Sequence, residues 1–152
     1  MGVKIVAENK KARFDFFITD RYECGIALEG SEVKSVRLGH MNLRDAFCLI
    51  TGDGEVMLKN CYIAPYEKGA AFNPEPRRDR KLLLHRAEIN KLTGKVKVKG
   101  FTLVPLSAYL KGRYVKVEIG LAEGKKQHDK RQTIRERDLK RQAERDVRDA
   151  RR

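Results

Sequence analysis

The chain has 152 residues, 34 of them Lys or Arg against 21 Asp or Glu, for a formal charge of +13 at pH 7. Its length suits one domain with a single core, and its charge suits a polyanionic partner. No apolar run approaches the ~20 residues needed to span a bilayer and there is no Trp to anchor at an interface, so no membrane partner is expected.

From Phe14 to Leu28 the even positions carry Phe14, Phe16, Ile18, Tyr22, Cys24, Ile26 and Leu28. That single parity, crossing a polar break at Thr19-Asp20-Arg21, predicts one long, bent strand. Gly25 within it marks either a bulge or a place where another backbone comes close. Ser31 is the expected cap of a short helix carrying Val33, Val36 and Leu38, which Gly39 would end. Strands are predicted at Ala46–Ile50 and Glu55–Ile63, joined by the turn Thr51-Gly52-Asp53-Gly54.

Residues 65–80 carry Pro65, Gly69, Pro74 and Pro76 and read as a long irregular connection of the functional or mobile kind. Around His85–Leu92 the apolar spacing turns helical. Leu84 and Ile89 flank His85 as a hydrophobic staple, with Glu88 at the third position and Gly94 as the stop. Strands are then expected at Lys95–Lys99, Phe101–Leu106 and Ala108–Leu110. The turn Lys111-Gly112-Arg113 leads into the alternation Val115, Val117, Ile119, Leu121. Strands dominate without a regular strand–helix rhythm, which argues against a doubly wound sheet. The expected fold is mainly β, a small closed barrel of the five-stranded oligonucleotide-binding type with short flanking helices.

The body is expected to span residues 1–121 and a tail residues 122–152. The tail holds 12 Lys/Arg and 7 Asp/Glu, so +5 of the +13 lies there and the body is basic too. Leu139, Ala143, Val147 and Ala150 form a thin stripe at helical spacing, and Glu136/Lys140 and Glu144/Arg148 are favourable i,i+4 pairs. Such a helix is marginal in water, so the tail is expected to be disordered when free and helical when bound.

Catalytic readings find little support. His40, His85 and His128 stand at no metal-ligand spacing. Glu23, Glu32 and Asp45 would make a metal-dependent nuclease acting on structured RNA only if they converged on a cation. Gly52-x-Gly54 lacks the lysine of a phosphate loop. No cofactor is implied. Cys24, Cys48 and Cys61 are an odd number at spacings that fit neither a disulfide framework nor zinc pairs, so buried thiols are expected. Met1–Asn9 lacks the apolar stretch of a secretion signal, and a cytoplasmic protein is expected.

Two clusters point to nucleic acid. Arg77-Arg78-Asp79-Arg80-Lys81 precedes Leu82-Leu83-Leu84-His85-Arg86, which sets cations beside apolar groups and an imidazole able to stack. Folded RNA is bound by shape, phosphate contacts and stacking, which need that mixture. By residue type alone, the leucines serve a core as well as they serve a ligand. The second cluster is Gly124-Lys125-Lys126-Gln127-His128-Asp129-Lys130-Arg131, where two basic pairs bracket a His-Asp centre. A general single-strand-binding barrel is a further alternative, but Phe14, Phe16 and Tyr22 sit on the alternating core parity rather than forming stacking platforms.

At these residues the chain resembles the small protein B family, the transfer-messenger-RNA-binding factors of bacterial trans-translation. The stretches that carry the resemblance are Ala7–Arg13, Tyr22–Gly25, Gly30–Ser35, Arg80–Leu84 and Gly124–Arg131, in the family's order and across essentially the whole chain. Cys24 stands where the family usually has alanine. The resemblance implies an oligonucleotide-binding-type barrel that binds the tRNA-like domain of transfer-messenger RNA, as a monomer in that complex. It also implies delivery to stalled ribosomes, with the tail helical in the vacant messenger channel. Carried over residue by residue, RNA binding falls to Asn9, Glu23, Lys81, Leu83 and His85. Ribosome engagement falls to Lys125, Lys126, His128, Asp129, Lys130 and Arg131.

Overall fold

Inward-facing apolar residues from six strands meet in one core, because the sheet that carries them closes on itself. The structure is a computed structural model that describes residues 3–66, 73–125 and 127–150, the side chains of 127–133 and 146–150 excepted. Its strands are β1 (Val3–Glu8), β2 (Phe16–Ile26), β3 (Met41–Asn42), β4 (Phe47–Ile50), β5 (Val56–Lys59), β6 (Tyr62–Ile63), β7 (Arg80–Leu83), β8 (Phe101–Lys111) and β9 (Tyr114–Gly124). The helices are α1 (Lys10–Asp15), α2 (Gly30–Arg37), α3 (Arg86–Val96) and α4 (Gln127–Ala150). Hydrogen-bonded neighbours run β8-β4-β5-β7-β2-β9, and β9 pairs with β8 again, so the expected barrel is a ring of six antiparallel strands rather than five. β1 adds to β8 at Ser107–Lys111, on the edge that β4 meets at Leu103, and β3 pairs with β6 apart from the ring.

Leu58, Leu82, Leu92, Val117 and Ile119 lie in the core inside the ring with no more than 1% exposure. A second, smaller cluster lies outside it, where Ala12, Val104, Leu106 and Ala122 pack with Phe16 and Ile18 beneath α1. The even parity of β2 therefore serves two opposite faces. Pairing with β9 slips between Ile18 and Asp20, so Phe16 and Ile18 point outward to α1 while Tyr22 and Cys24 point into the ring. A one-residue bulge exchanges the faces of everything beyond it. The polar break at Thr19–Arg21 is that bulge. Phe14 is not part of the strand: it lies in α1, whose cap is Asn9.

Other boundaries move for local reasons. Glu29, not Ser31, caps α2, because Glu32 reaches back to accept from its backbone N–H at 3.0 Å. The helix ends at Gly39, φ +81°, with Gly39 N–H on Val36 and His40 N–H on Ser35, the paired bonds of a Schellman motif. His85 caps α3 with Glu88 at the third position, as expected. That helix runs through Gly94 to Val96, so Lys95–Lys99 is not a strand. Val96 packs on the core and Lys95 Nζ lies 2.6 Å from Asp20, which outweighs the ~1 kcal/mol a helical glycine costs. Asn60, φ +60°, splits the predicted Glu55–Ile63 into β5 and β6. β8 is continuous from Phe101 to Lys111, with its register slip at Leu106. β1 and α1 are absent from the sequence reading. β1 is an edge strand with Val3 and Ile5 half-exposed, and its burial does not alternate.

β9 ends at Gly124, three residues past the expected end of the body, since Phe16 pairs with Gly124 and Phe101 with Glu123. From Gln127 the backbone is helical, and every described side chain of α4 is exposed. Lys126 and much of the 65–80 connection (67–72) lie outside the described residues. No described helix is long and apolar enough to cross a membrane.

Candidate nucleic-acid interface

Outward-facing residues of β2, β7 and β9 border a cleft of about 620 Å³, with Glu23, Leu83, His85, Tyr114 and Lys116 among its lining. β7 alternates strictly, so Arg80 and Leu82 are buried while Lys81 and Leu83 face out. Leu83 pairs with Gly25, and a Cβ on Gly25 would lie 3.3 Å from the Leu83 Cβ. Gly25 is therefore the close-approach glycine of β2, its neighbour a side chain rather than a backbone. The strand ends at Leu83 and the chain enters α3 through His85, which leaves the imidazole exposed on the lip of the cleft. Opposite, Tyr114 opens β9 after a tight turn at Gly112, φ +61°. Its ring is 61% exposed, with the Arg113 guanidinium 5.8 Å and the Lys116 ammonium 5.7 Å from its centroid.

Glu23 and Glu88 are the acidic residues of the lining, and Glu23 is the one that faces out of β2. The Tyr109 hydroxyl donates to its Oε2, and Lys111 Nζ lies 3.4 Å from its Oε1. The Tyr109 hydrogen bond holds the Glu23 carboxyl below its usual range; partial burial opposes this, and Lys111 and Lys116 add to it. The phenol of Tyr109 is pushed up, first by burial and then by the carboxylate. Glu118, opposite Glu23 in the β2–β9 register, is met by Arg21 at 3.6 Å.

The basic run 77–81 is less free than its sequence suggests. Arg80 is buried, donating from Nε to Glu32 at 2.7 Å and from Nη1 to the Cys61 carbonyl at 2.7 Å, and Arg78 shares the Glu32 carboxylate. Arg77 donates to Asn60 Oδ1 at 3.1 Å and lies over the Tyr62 ring. Glu32 is thus bound to two guanidiniums, and Asp45 lies 3.7 Å from Lys11. Among the described residues no three His, Cys, Asp or Glu side chains gather as metal ligands, so Glu23, Glu32 and Asp45 do not converge and the nuclease reading loses its premise.

The family model described as SmpB protein matches residues 6–149. The chain belongs to the SmpB protein family. It is 55% identical over 145 residues to the SsrA-binding protein of Carboxydothermus hydrogenoformans, covering 95% of this chain and 97% of the relative. To the SsrA-binding protein of Lachnoclostridium phytofermentans it is 54% identical over 145 residues, covering 95% and 94%. A chain of the solved structure described as "tmRNA-SmpB: a journey to the center of the bacterial ribosome" is 51% identical. It covers 84% of this chain and 93% of that one, with a TM-score of 0.66.

Of the residues to which the resemblance assigns RNA binding, Glu23, Leu83 and His85 line one cleft. Lys81 shares the outer face of β7 but lies outside that lining, its Nζ 3.1 Å from Glu55. Asn9 is elsewhere and buried: its Nδ2 donates to the Pro105 carbonyl, its Oδ1 accepts from Ala12 N–H and its own N–H donates to Leu106. Lys125 follows β9, its N–H on the Asp15 carbonyl at 2.8 Å and its ammonium 5.0 Å from the Phe17 ring centroid. Lys126 and the side chains of His128, Asp129, Lys130 and Arg131 lie outside the described residues, although 128–131 are helical in backbone. The sequence reading missed Tyr109, Lys111, Arg113, Tyr114 and Lys116. The signal for the last three was present: an aromatic between two cations at a tight turn.

Proposed function

We propose that the protein is a non-enzymatic RNA-binding adaptor of ribosome rescue. Its body binds the tRNA-like domain of transfer-messenger RNA, and its tail engages the empty messenger channel of a stalled ribosome in the cytoplasm. The observation that carries the reading is the meeting of Glu23, Leu83 and His85 in one cleft whose far lip is Arg113, Tyr114 and Lys116. A carboxylate in such a basic setting is no phosphate ligand; it accepts from base or ribose donors. The cations beside it take phosphates, and Leu83, His85 and Tyr114 supply faces for unpaired bases. Membership of a family whose relatives are named SsrA-binding proteins supports the same partner.

In this reading Asn9 acts from below, by seating α1 on β8. Lys125, Lys126, His128, Asp129, Lys130 and Arg131 act on the ribosome. Leu139 and Ala143, the described members of the apolar stripe of α4, are exposed, and in this reading the helix gains its lasting partner in the channel. A tail disordered when free should add little helix from residues 127–150 to the far-ultraviolet spectrum of the protein without RNA or ribosome.

The deciding experiment is a gel shift of the tRNA-like domain against an ordinary tRNA at one stated salt concentration, because phosphate contacts make affinity salt-dependent. A clear preference for the tRNA-like domain is expected; equal affinity for both would reduce the cleft to a general polyanion site.

A further inference from the structure

We infer that Tyr109 is a positioning residue for RNA recognition, acting through its hydroxyl on Glu23 rather than by touching RNA. This rests on the reading of the cleft as the RNA site. Tyr109 stands on β8, 9% exposed, and is not part of the cleft lining. β9 lies between β8 and β2, so its hydroxyl reaches across β9 to a carboxylate two strands away. Tyr109 lies opposite Lys116 and Glu23 opposite Glu118, which makes the contact a diagonal one on the outer face.

An ionised carboxylate has about four acceptor positions on two oxygens. Tyr109 takes one on Oε2 and Lys111 approaches Oε1, which leaves acceptor capacity on both oxygens for a ligand. Among the described residues no other side chain donates a hydrogen bond to Glu23, whose side chain is 41% exposed. Without the phenol it gains several rotamers. The attraction of Lys111 and Lys116 and the repulsion of Glu118, opposite Glu23 in the register, then act on a carboxylate with no phenol to hold it. A pre-set acceptor is worth more to a ligand than one ordered on binding, since the ordering cost falls before the encounter. A hydrogen bond to a charged acceptor is also about twice as strong as a neutral one.

The test is a double-mutant cycle in the full chain, with the tRNA-like domain as probe at fixed salt. Tyr109→Phe keeps the ring and its packing and removes only the hydroxyl. It should weaken binding about tenfold, and Glu23→Ala by at least as much. The double variant should bind no worse than Glu23→Ala alone, because the hydroxyl then has nothing to position. Wild-type affinity for Tyr109→Phe overturns the proposal, as does a Tyr109→Phe loss that persists undiminished in the Glu23→Ala background, which would mark a packing effect. A second readout needs no RNA. The side-chain carboxyl carbon of Glu23, followed by NMR against pH, should titrate higher in Tyr109→Phe than in the wild type. The charged groups facing it are Lys111 from β8 and Lys116 and Glu118 from β9, Glu118 being met by Arg21; Glu88 of α3 lines the same cleft. All of these are common to both proteins. An unmoved midpoint overturns the proposal whatever the RNA result. If the wild type fails to prefer the tRNA-like domain while the midpoint moves, the reading of the cleft falls and the Tyr109–Glu23 coupling stands.

Discussion

Arg80 Nε donates to Glu32 Oε2 at 2.7 Å across 48 positions of the chain, with side-chain exposures of 0% and 4%. Arg80 also donates to the carbonyls of Cys61, Arg78 and Pro76, so its charge is spread over one carboxylate and three backbone acceptors. A buried ion pair is tolerated only when its remaining donors are satisfied in this way. The arrangement ties α2 to β7 and to the start of β6, and it removes a cation from the surface where the sequence seemed to place one. It belongs to packing; the outward face of β7 begins one residue later, at Lys81.

Glu32→Gln should therefore act on stability. Removing one partner of a buried pair leaves the other charge uncompensated, a cost of roughly 3–5 kcal/mol. For a domain of this size that lowers the melting temperature by about 10 °C or more. Acid should do the same to the wild type. Burial raises the Glu32 carboxyl, but hydrogen bonds from Arg78, the Glu29 backbone and Arg80 outweigh it and leave the folded value below the ordinary 4.5. A depressed carboxyl contributes stability in full above its unfolded value, and that contribution is lost as pH falls through the folded one. Melting curves from pH 7 downward should show the loss beginning near 4.5 in the wild type. Glu32→Gln should flatten that part of the profile, and an unflattened profile would remove Glu32 from the account.

Asn9→Ala should also register as a folding defect. The side chain caps α1 through Ala12 N–H and tethers Pro105 of β8, both in a buried setting. Losing a cap costs about 1 kcal/mol and stranding a buried carbonyl about 1–3 kcal/mol. Thermal melting should fall accordingly, while affinity for the tRNA-like domain, measured well below the melt, stays near wild type. Weakened binding at an unchanged melting temperature would return Asn9 to the RNA face.

The neighbours Leu82 and Leu83 separate packing from recognition within one dipeptide. Leu82 is 1% exposed inside the ring and Leu83 51% exposed on the cleft. Leu82→Ala should cost about 2–5 kcal/mol of stability. Leu83→Ala should cost no more than about 1 kcal/mol of stability and weaken RNA binding several-fold instead. Equal effects of the two on both measurements would deny the division.

That dipeptide also shows what the sequence could and could not carry. Composition places Leu82, Leu83 and Leu84 alike, and only the pleat of β7, fixed by pairing with β5 and β2, sends one inward and one out. Glu23, Leu83 and His85 were reachable through the family resemblance, Leu83 and His85 where β7 gives way to α3 and Glu23 well inside β2. Tyr109 was not, because an aromatic in a strand reads as core and its reach across β9 depends on register. The bulges at Thr19 and Leu106 were equally hidden. A polar break and a proline–leucine pair announce no change of face, yet they decide which apolar residues meet under α1.

The three thiols should be inert in the folded protein. Burial pushes Cys24 up to about 12 and Cys61 up to about 11, and Cys48 well above its ordinary value. Thiolate is the reactive form, so a disulfide reagent at pH 8 should find almost none in the native chain. All three should react once denaturant opens the ring, in proportion to the unfolded fraction. Fast reaction of any one in native buffer would mean that the core opens locally.

Where the chain is cut decides whether the tail can be tested apart from the body. Ending it at Gly120 would remove Leu121 and Ala122, 3% and 0% exposed, and would strip the pairing partners of Phe16–Ile18 in β2 and Phe101–Leu103 in β8. That variant should fail to fold, as judged by a lost cooperative melt, and says nothing about the tail. Ending the chain at Lys125 keeps β9 whole and preserves the Lys125 N–H bond to Asp15. This second variant should melt like the full chain and bind the tRNA-like domain with nearly full affinity. It should lose peptide tagging on ribosomes stalled at the end of a message lacking a stop codon. The difference follows from the layout: the cleft is built by β2, β7 and β9 and the β8–β9 turn, none of which needs α4. If binding and tagging fell together in the chain ending at Lys125, the tail would have to contribute to RNA capture itself, and the two-part division of labour would be wrong.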